Sequence, residues 1–374
     1  MKKIPISQVD VLFSSGIYPI EFLFYYKDAF DTRTLRAALR NLSSAFWPMF
    51  GEYKDGMIFK DRYREENFYD EEAMGAELDV PEIEDKGMDA NSRFRLPDLK
   101  KLFFLKAIRP KKGLILIPKL NHMAGDGYSY FYFLSLLATI ARPTKVPFKS
   151  FLTAFSSRPH HRRTALKDFA FSGLELKPAP QNERLTAESV DILRKDVKSI
   201  IRDVAASDHF QISANDVLAA KAVKKLVGRQ TSVWGDEVGV TIPIDVRQHV
   251  KEYGQRFIGN GIMLHTIKLR RHDIENSEIK EIAVQIRKSM PVVTTESYLF
   301  YLTELEETIS QRITDKLRPF DPEHGCLVTN LSKLPSDKLD FGSGPPEIVS
   351  PLTAEKNSTG ILAKKENYVL RFAY

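Results

Sequence analysis

Six consecutive residues, His122-Met123-Ala124-Gly125-Asp126-Gly127, put a general base, a carboxylate and a helix start side by side. An imidazole takes up a proton near neutral pH, and a positioned base contributes about 10²–10⁴ in rate. Asp126, four residues on across a turn holding Gly125, either bonds His122 or pairs with an arginine elsewhere and braces the loop. No other His or Cys lies close enough in sequence to suggest a metal cluster, and no Gly-x-Ser-x-Gly elbow presents an activated serine. What remains for His122 is base catalysis on a substrate's own hydroxyl or amine. The same residues also suit a plain loop, with Asp126 as helix N-cap and Gly127 in the first turn.

The flanking sequence says how these groups are held. Gly113 to Leu120 is apolar and β-branched, the pattern of a buried strand, and Tyr128 to Ile140 runs without a breaker, as a core-facing helix does. His122 therefore sits where a strand gives way to a helix, at the kind of connection a rigid scaffold presents to a cleft. Upstream, Ile20 to Lys27 and Phe103 to Arg109 read as strands. Asp31 caps an amphipathic helix running to about Phe46, and Tyr53 to Met57 is a hairpin whose Asp55-Gly56 pair suits a type I′ turn. Glu71 to Ser92 is acidic, a loop or short helix. From Arg142 to Leu185, Pro143, Pro147, Pro159, Pro178 and Pro180 fall among basic and polar residues, the composition of a linker between domains. Beyond it, helices are predicted from Glu188 to Ala205, Asn215 to Val227, Ser277 to Lys288 and Thr295 to Leu317. Strands are predicted from Val238 to Ile244 and Ile262 to Leu269.

Near the C-terminus the chain reads Val328-Thr329-Asn330-Leu331-Ser332-Lys333-Leu334-Pro335, then Leu339-Asp340-Phe341-Gly342-Ser343-Gly344-Pro345-Pro346. Alone, this is a strand, a turn and a Gly/Pro-rich loop. Together with His122 to Gly127, in that order and at that separation, it resembles the BAHD family of coenzyme A-dependent acyltransferases, whose signatures are His-x-x-x-Asp-Gly and Asp-Phe-Gly-Trp-Gly. Ser7-Gln8-Val9-Asp10 is similar to the family's opening strand, and Ile212 to Leu218 to the start of its central helix. Pro243 to Arg247 is similar to its Asp-x-Arg strand end, and Phe257-Ile258-Gly259-Asn260 to its Tyr-Phe-Gly-Asn. The resemblance thus runs from about Ser7 to Pro346. Ser343 stands where the family usually has Trp, Leu331 where plant members commonly have another, and the chain is shorter than typical plant members. These departures leave the acceptor class open.

The resemblance implies an α+β fold of two chloramphenicol-acetyltransferase-like domains, each a mixed β-sheet with helices. The halves would span residues 1–141 and 188–374, joined by a crossover linker, 142–187, with the active site in a channel between them. It implies transfer of an acyl group from acyl-coenzyme A to a small-molecule alcohol or amine, with no metal, resident cofactor or covalent enzyme intermediate. His122 is then the base. Thr329 aligns with an oxyanion donor and Asn330 is adjacent to it. Asp126 orients the loop through an ion pair to Arg247, with Gly127 beside it; on spacing alone, Arg247 pairs equally well with Asp245. Asp340, Phe341, Gly342 and Gly344 are assigned to structure, and Ser213, Asn215 and Lys221 are candidates for coenzyme A contacts. Two other readings stand beside this one. A condensation-type enzyme would take its acyl group from an acyl carrier protein, but its His-His-x-x-x-Asp-Gly motif has Asn121 here in place of the first His. A non-catalytic binding protein would keep the fold alone.

Composition sets the outer bounds. A chain of 374 residues exceeds one ordinary core and suits two domains. Hydrophobic content of 43% with 28% charged residues is that of a soluble globular protein, and no apolar run approaches the roughly 20 residues of a membrane span. Met1-Lys2-Lys3 followed by Ile4 to Phe13 imitates a signal peptide. Gln8 and Asp10 interrupt it and no small-residue cleavage site follows, so an edge strand is expected. The single cysteine, Cys326, excludes an internal disulfide and fits buried core in a cytoplasmic monomer. The net charge of +6 permits a polyanionic partner, but nucleic acid needs a concentrated basic stripe with interleaved aromatics. The densest cluster, Arg158 to Arg163, falls in the linker and reads as a solvated loop, with the phosphates of coenzyme A as the alternative partner.

Overall fold

The computed structural model describes residues 2–14, 19–71, 101–110, 112–142, 159–172, 187–207, 209–229, 234–311, 317–352 and 355–374. Two mixed sheets dominate an α+β fold. The first holds five strands in the order Ile348–Pro351, Pro19–Tyr26, Leu114–Asn121, Phe103–Ile108, Phe68–Glu71. The second holds six, in the order Ile262–Arg270, Glu237–Asp245, Gly325–Asn330, Ser358–Lys364, Asn367–Ala373, Ala187–Leu193. A small sheet of Lys3–Pro5, Met57–Phe59 and Glu52–Lys54 flanks the first half.

The strand before His122 is buried on both faces, so its alternate residues feed two cores. Leu114 and Leu116 join a cluster with Phe22, Phe24 and the helices Thr32–Ser43 and Gly127–Ala141. Ile115 and Ile117 join Leu23, Tyr25 and Ile348 on the other side. Aromatic side chains Tyr130, Phe131 and Phe133 lock the Gly127–Ala141 helix against the sheet, which fixes its N-terminus, where Asp126 sits. Strand Ile348–Pro351 belongs to the C-terminal half in sequence but pairs antiparallel with Pro19–Tyr26, so the chain crosses back once. Among the described residues no helix is long and apolar enough to cross a membrane.

Several expectations need correction. Ser7 to Asp10 is not a strand. Ser7 Oγ accepts from the Asp10 amide at 3.2 Å and Asp10 Oδ2 from the Ser7 amide at 2.8 Å, a reciprocal cap that folds Gln8–Val11 into a helical turn and leaves only Lys3–Pro5 extended. Glu188 to Ala205 is not one helix. Ala187–Leu193 is a strand paired with Asn367–Ala373, and the helix Arg194–Ser207 starts only after it. That pairing partner lies at the far end of the chain and outweighs the local helical pattern. The cluster ending at Arg163 is not a solvated loop: Arg163 and Asp10 form an ion pair with both side chains 0% exposed. Arg158, residues 72–92 of the acidic stretch, and residues 143–158 and 173–186 of the linker lie outside the described residues. The helix expected to reach Leu317 is described from Thr295 to Ser310.

Candidate active site

The Leu114–Asn121 strand ends in a single 3₁₀ turn, His122–Ala124, because the Asn121 side chain accepts from the Met123 amide at 3.0 Å. Asp126 then caps the next helix, accepting from the Ser129 amide at 2.9 Å. Its carboxylate also takes the Gly261 amide at 2.9 Å and two donors of Arg247, at 2.9 and 2.8 Å. Burial opposes ionisation of Asp126, but the Arg247 charge and these hydrogen bonds outweigh it and hold its pKa below the ordinary value. Arg247 spends its remaining donors on Asp245 and on the carbonyls of Phe257 and Gly259, and its guanidinium lies 4.5 Å from the Tyr128 ring centre. The Asp126–Arg247 pair thus ties the loop after His122 to the strand end of the other half.

His122 is held from behind. Asn260 Nδ2 donates to Asp10 Oδ1 at 2.7 Å and to the His122 carbonyl at 2.8 Å, so its Oδ1 is the atom facing the ring, 3.1 Å from His122 Nδ1. A carbonyl oxygen only accepts, so Nδ1 carries the proton and Nε2 keeps its lone pair. Phe13 stacks on the ring with centroids 3.7 Å apart and planes 12° from parallel. Asp10 is fixed in turn by Arg163, at 2.7 Å, and Arg163 also donates to the Met123 carbonyl at 2.9 Å. Burial lowers the His122 pKa below its ordinary 6.5, against an opposing pull from the Asp126 charge. The ring is therefore neutral, with one defined lone pair.

That ring lines a cavity of about 880 Å³ between the two halves. Thr329 lines it as well, because Leu327 and Thr329 face the cavity while Cys326 and Val328 point into the second core. The Thr329 hydroxyl makes no hydrogen bond among the described residues. Asn330 also lines the cavity, donating to Asn215 Oδ1 at 2.8 Å and accepting from the Ser332 amide at 2.9 Å. Ser213 and Asn215 line it too, at the start of the helix Ala214–Arg229, and Ser213 is engaged with Asp216 and Arg287. Lys221 does not line the cavity: it lies about 10 Å further along that helix, at 1.5 Å rise per residue. Asp340, Phe341, Gly342 and Gly344 stand apart. Asp340 accepts from the amides of Gly342 and Gly344 at 2.8 and 2.9 Å, both glycines have positive φ (112° and 94°), and Phe341 stacks on Phe30 with centroids 5.0 Å apart.

Asn260, Asp10, Arg163 and Phe13 were not singled out from sequence for any role at the ring. Asn260 was visible only as the end of Phe257-Ile258-Gly259-Asn260. Asp10 and Arg163 are 153 positions apart, and nothing local pairs them. Among the described residues no group of His, Cys, Asp and Glu is arranged to hold a metal ion.

A family model described as the Transferase family matches residues 96–368. No curated protein sequence matches the chain. The fold is shared with solved structures at low identity. TRI101 of F. sporotrichioides, complexed with coenzyme A and T-2, gives a TM-score of 0.75 at 14% identity, over 99% of this chain and 94% of that one. Vinorine synthase gives 0.74 at 14% identity, over 100% and 90%. The first condensation domain of the calcium-dependent antibiotic synthetase, in complex with substrate analogue 2a, gives 0.61 at 12% identity, over 100% and 91%.

Proposed function

This chain belongs to the Transferase family, as an acyltransferase of the BAHD type, and from that premise we propose that it moves an acyl group from acyl-coenzyme A to a hydroxyl or amine, with His122 as general base. The observation that carries the reading is the fixed tautomer of His122, whose protonated Nδ1 faces Asn260 and whose Nε2 lone pair is left for a substrate in the cavity. The acceptor's oxygen or nitrogen attacks the thioester carbonyl carbon while its proton passes to Nε2. The carbonyl becomes an oxyanion, which needs a fixed donor, and the Thr329 hydroxyl, engaged by none of the described residues, is the candidate. Collapse breaks the carbon–sulfur bond, and His122 returns the proton to the leaving thiolate. Asp126 and Arg247 move no proton; they hold the loop.

The test is thiol release from a panel of acyl-coenzyme A thioesters, with and without pooled alcohols and amines. Acceptor-dependent release is expected from the wild type. His122→Ala should lower it by at least about 10²-fold with the melting temperature little changed. Undiminished release in His122→Ala would end the general-base reading. Transfer only from a carrier-protein thioester would move the chain to the condensation-type reading.

A further inference from the structure

The cavity has a second polar feature, remote from His122 in sequence. Arg371, on the Asn367–Ala373 strand, is in register with Gly360, and Gly360 is in register with Thr329. Residues directly opposite across neighbouring strands share a face, so the three form one row across the sheet, and all three line the cavity. With strands about 4.8 Å apart, the Arg371 backbone stands roughly 10 Å from that of Thr329. Gly360 leaves the middle of the row bare: a Cβ there would come no closer than 3.4 Å to Leu331.

A guanidinium has five donors. One, on Nη1, goes to Ser350 Oγ on the Ile348–Pro351 strand; Nε is buried without a partner, and no carboxylate among the described residues pairs with the group. Burial alone pulls its pKa down, with no acidic neighbour opposing. Arginine nevertheless keeps its proton. Among the described residues the group is thus a largely desolvated cation in a cavity wall whose one hydrogen-bond partner is a neutral hydroxyl. Such burial is costly unless an anion completes it. A strut to Ser350 would need no charge at all.

We propose that Arg371 is an anion-recognition point of the cavity, taking the carboxylate of a substrate whose reacting group lies near Thr329, about the length of the row away. The planar fork suits a carboxylate held at two points. The carboxylate would be carried either by the acyl chain, as the half-thioester of a dicarboxylic acid, or by the acceptor, as a hydroxy or amino acid. Assigning it to a substrate rests on the acyl-transfer reading; the binding itself does not.

Two arms test this. In the binding arm, thermal unfolding is followed in increasing sodium malonate against sodium chloride of equal ionic strength. Saturable stabilisation is expected for the wild type and for Ser350→Ala, and not for Arg371→Gln; Arg371→Lys, which keeps the charge but not the fork, should bind more weakly than wild type. In the kinetic arm, kcat/KM is compared for succinyl- against butyryl-coenzyme A, and for a hydroxy acid against its methyl ester. Wild type should favour the carboxylate by at least about 100-fold in one of these pairs, and Arg371→Gln should lose that preference. Malonate responses identical in wild type and Arg371→Gln would overturn the proposal, as would Ser350→Ala and Arg371→Gln destabilising equally with no malonate response, the mark of a strut only. Silence with every thioester would count against the acyl-transfer reading, and the malonate arm would still decide the role of Arg371.

Discussion

In the proposed mechanism His122 acts as a base only while Nδ1 keeps its proton, and the uncharged amide of Asn260 is what holds it there. Since burial lowers the His122 pKa, kcat/KM should be flat at neutral pH and fall on the acid side with an apparent pKa below 6.5, as the ring protonates and loses its lone pair. The Asn260 hydrogen bond raises that pKa, so Asn260→Ala should push the acid limb lower still while kcat drops by about 10²-fold, measured as a full pH–rate profile. A limb that stays in place in the variant would make Asn260 merely structural. How far this site is legible in sequence follows from charge and distance. His122, Asp126 and Arg247 lie in short patterns with an obvious acid, base or cation. Asn260 has no charge to announce it, and the Asp10–Arg163 pair forms only because the fold closes around it.

At the scale of elements, local rules placed most strands and helices and failed where a distant partner decides. Leu114–Asn121 and Gly127–Ala141 follow from unbroken apolar runs, and Asp55-Gly56 from turn chemistry. Ala187–Leu193 became a strand because the last strand of the chain offers it a ladder. The tip of the Asp55-Gly56 hairpin shows how a turn can be tied to its surroundings. Both residues have positive φ, 48° and 74°, and a Cβ on Gly56 would lie 1.6 Å from the Phe171 carbonyl oxygen in the segment between the halves. Gly56→Ala should therefore destabilise the protein by at least about 2 kcal/mol, more than a free turn would register, by chemical denaturation. A change under 0.5 kcal/mol, the ordinary range for a surface site, would show that the contact yields.

At the scale of the whole molecule, the halves are joined through the site itself: Asp126 to Arg247, His122 to Asn260, and a strand passed from one half to the other. The two tryptophans report on one half each, Trp47 in the first core and Trp234 in the second. Trp47→Phe and Trp234→Phe variants should lose their remaining fluorescence signal at the same denaturant midpoint, as one cooperative unit does. Separate midpoints would mean that the halves unfold independently and that the site is lost with the less stable one.

The returned strand also puts a clock on the birth of the protein. Phe22-Leu23-Phe24-Tyr25-Tyr26 lies on a strand whose outer neighbour, Ile348–Pro351, is encoded about 320 residues downstream. At translation rates of about 5–20 residues per second, roughly 16–64 s pass between the emergence of the two. For that interval an aromatic strand edge has no native cover, and such an edge is a template for pairing with other chains. Yield in a cell should accordingly depend on what shields the nascent first half before its last strand arrives.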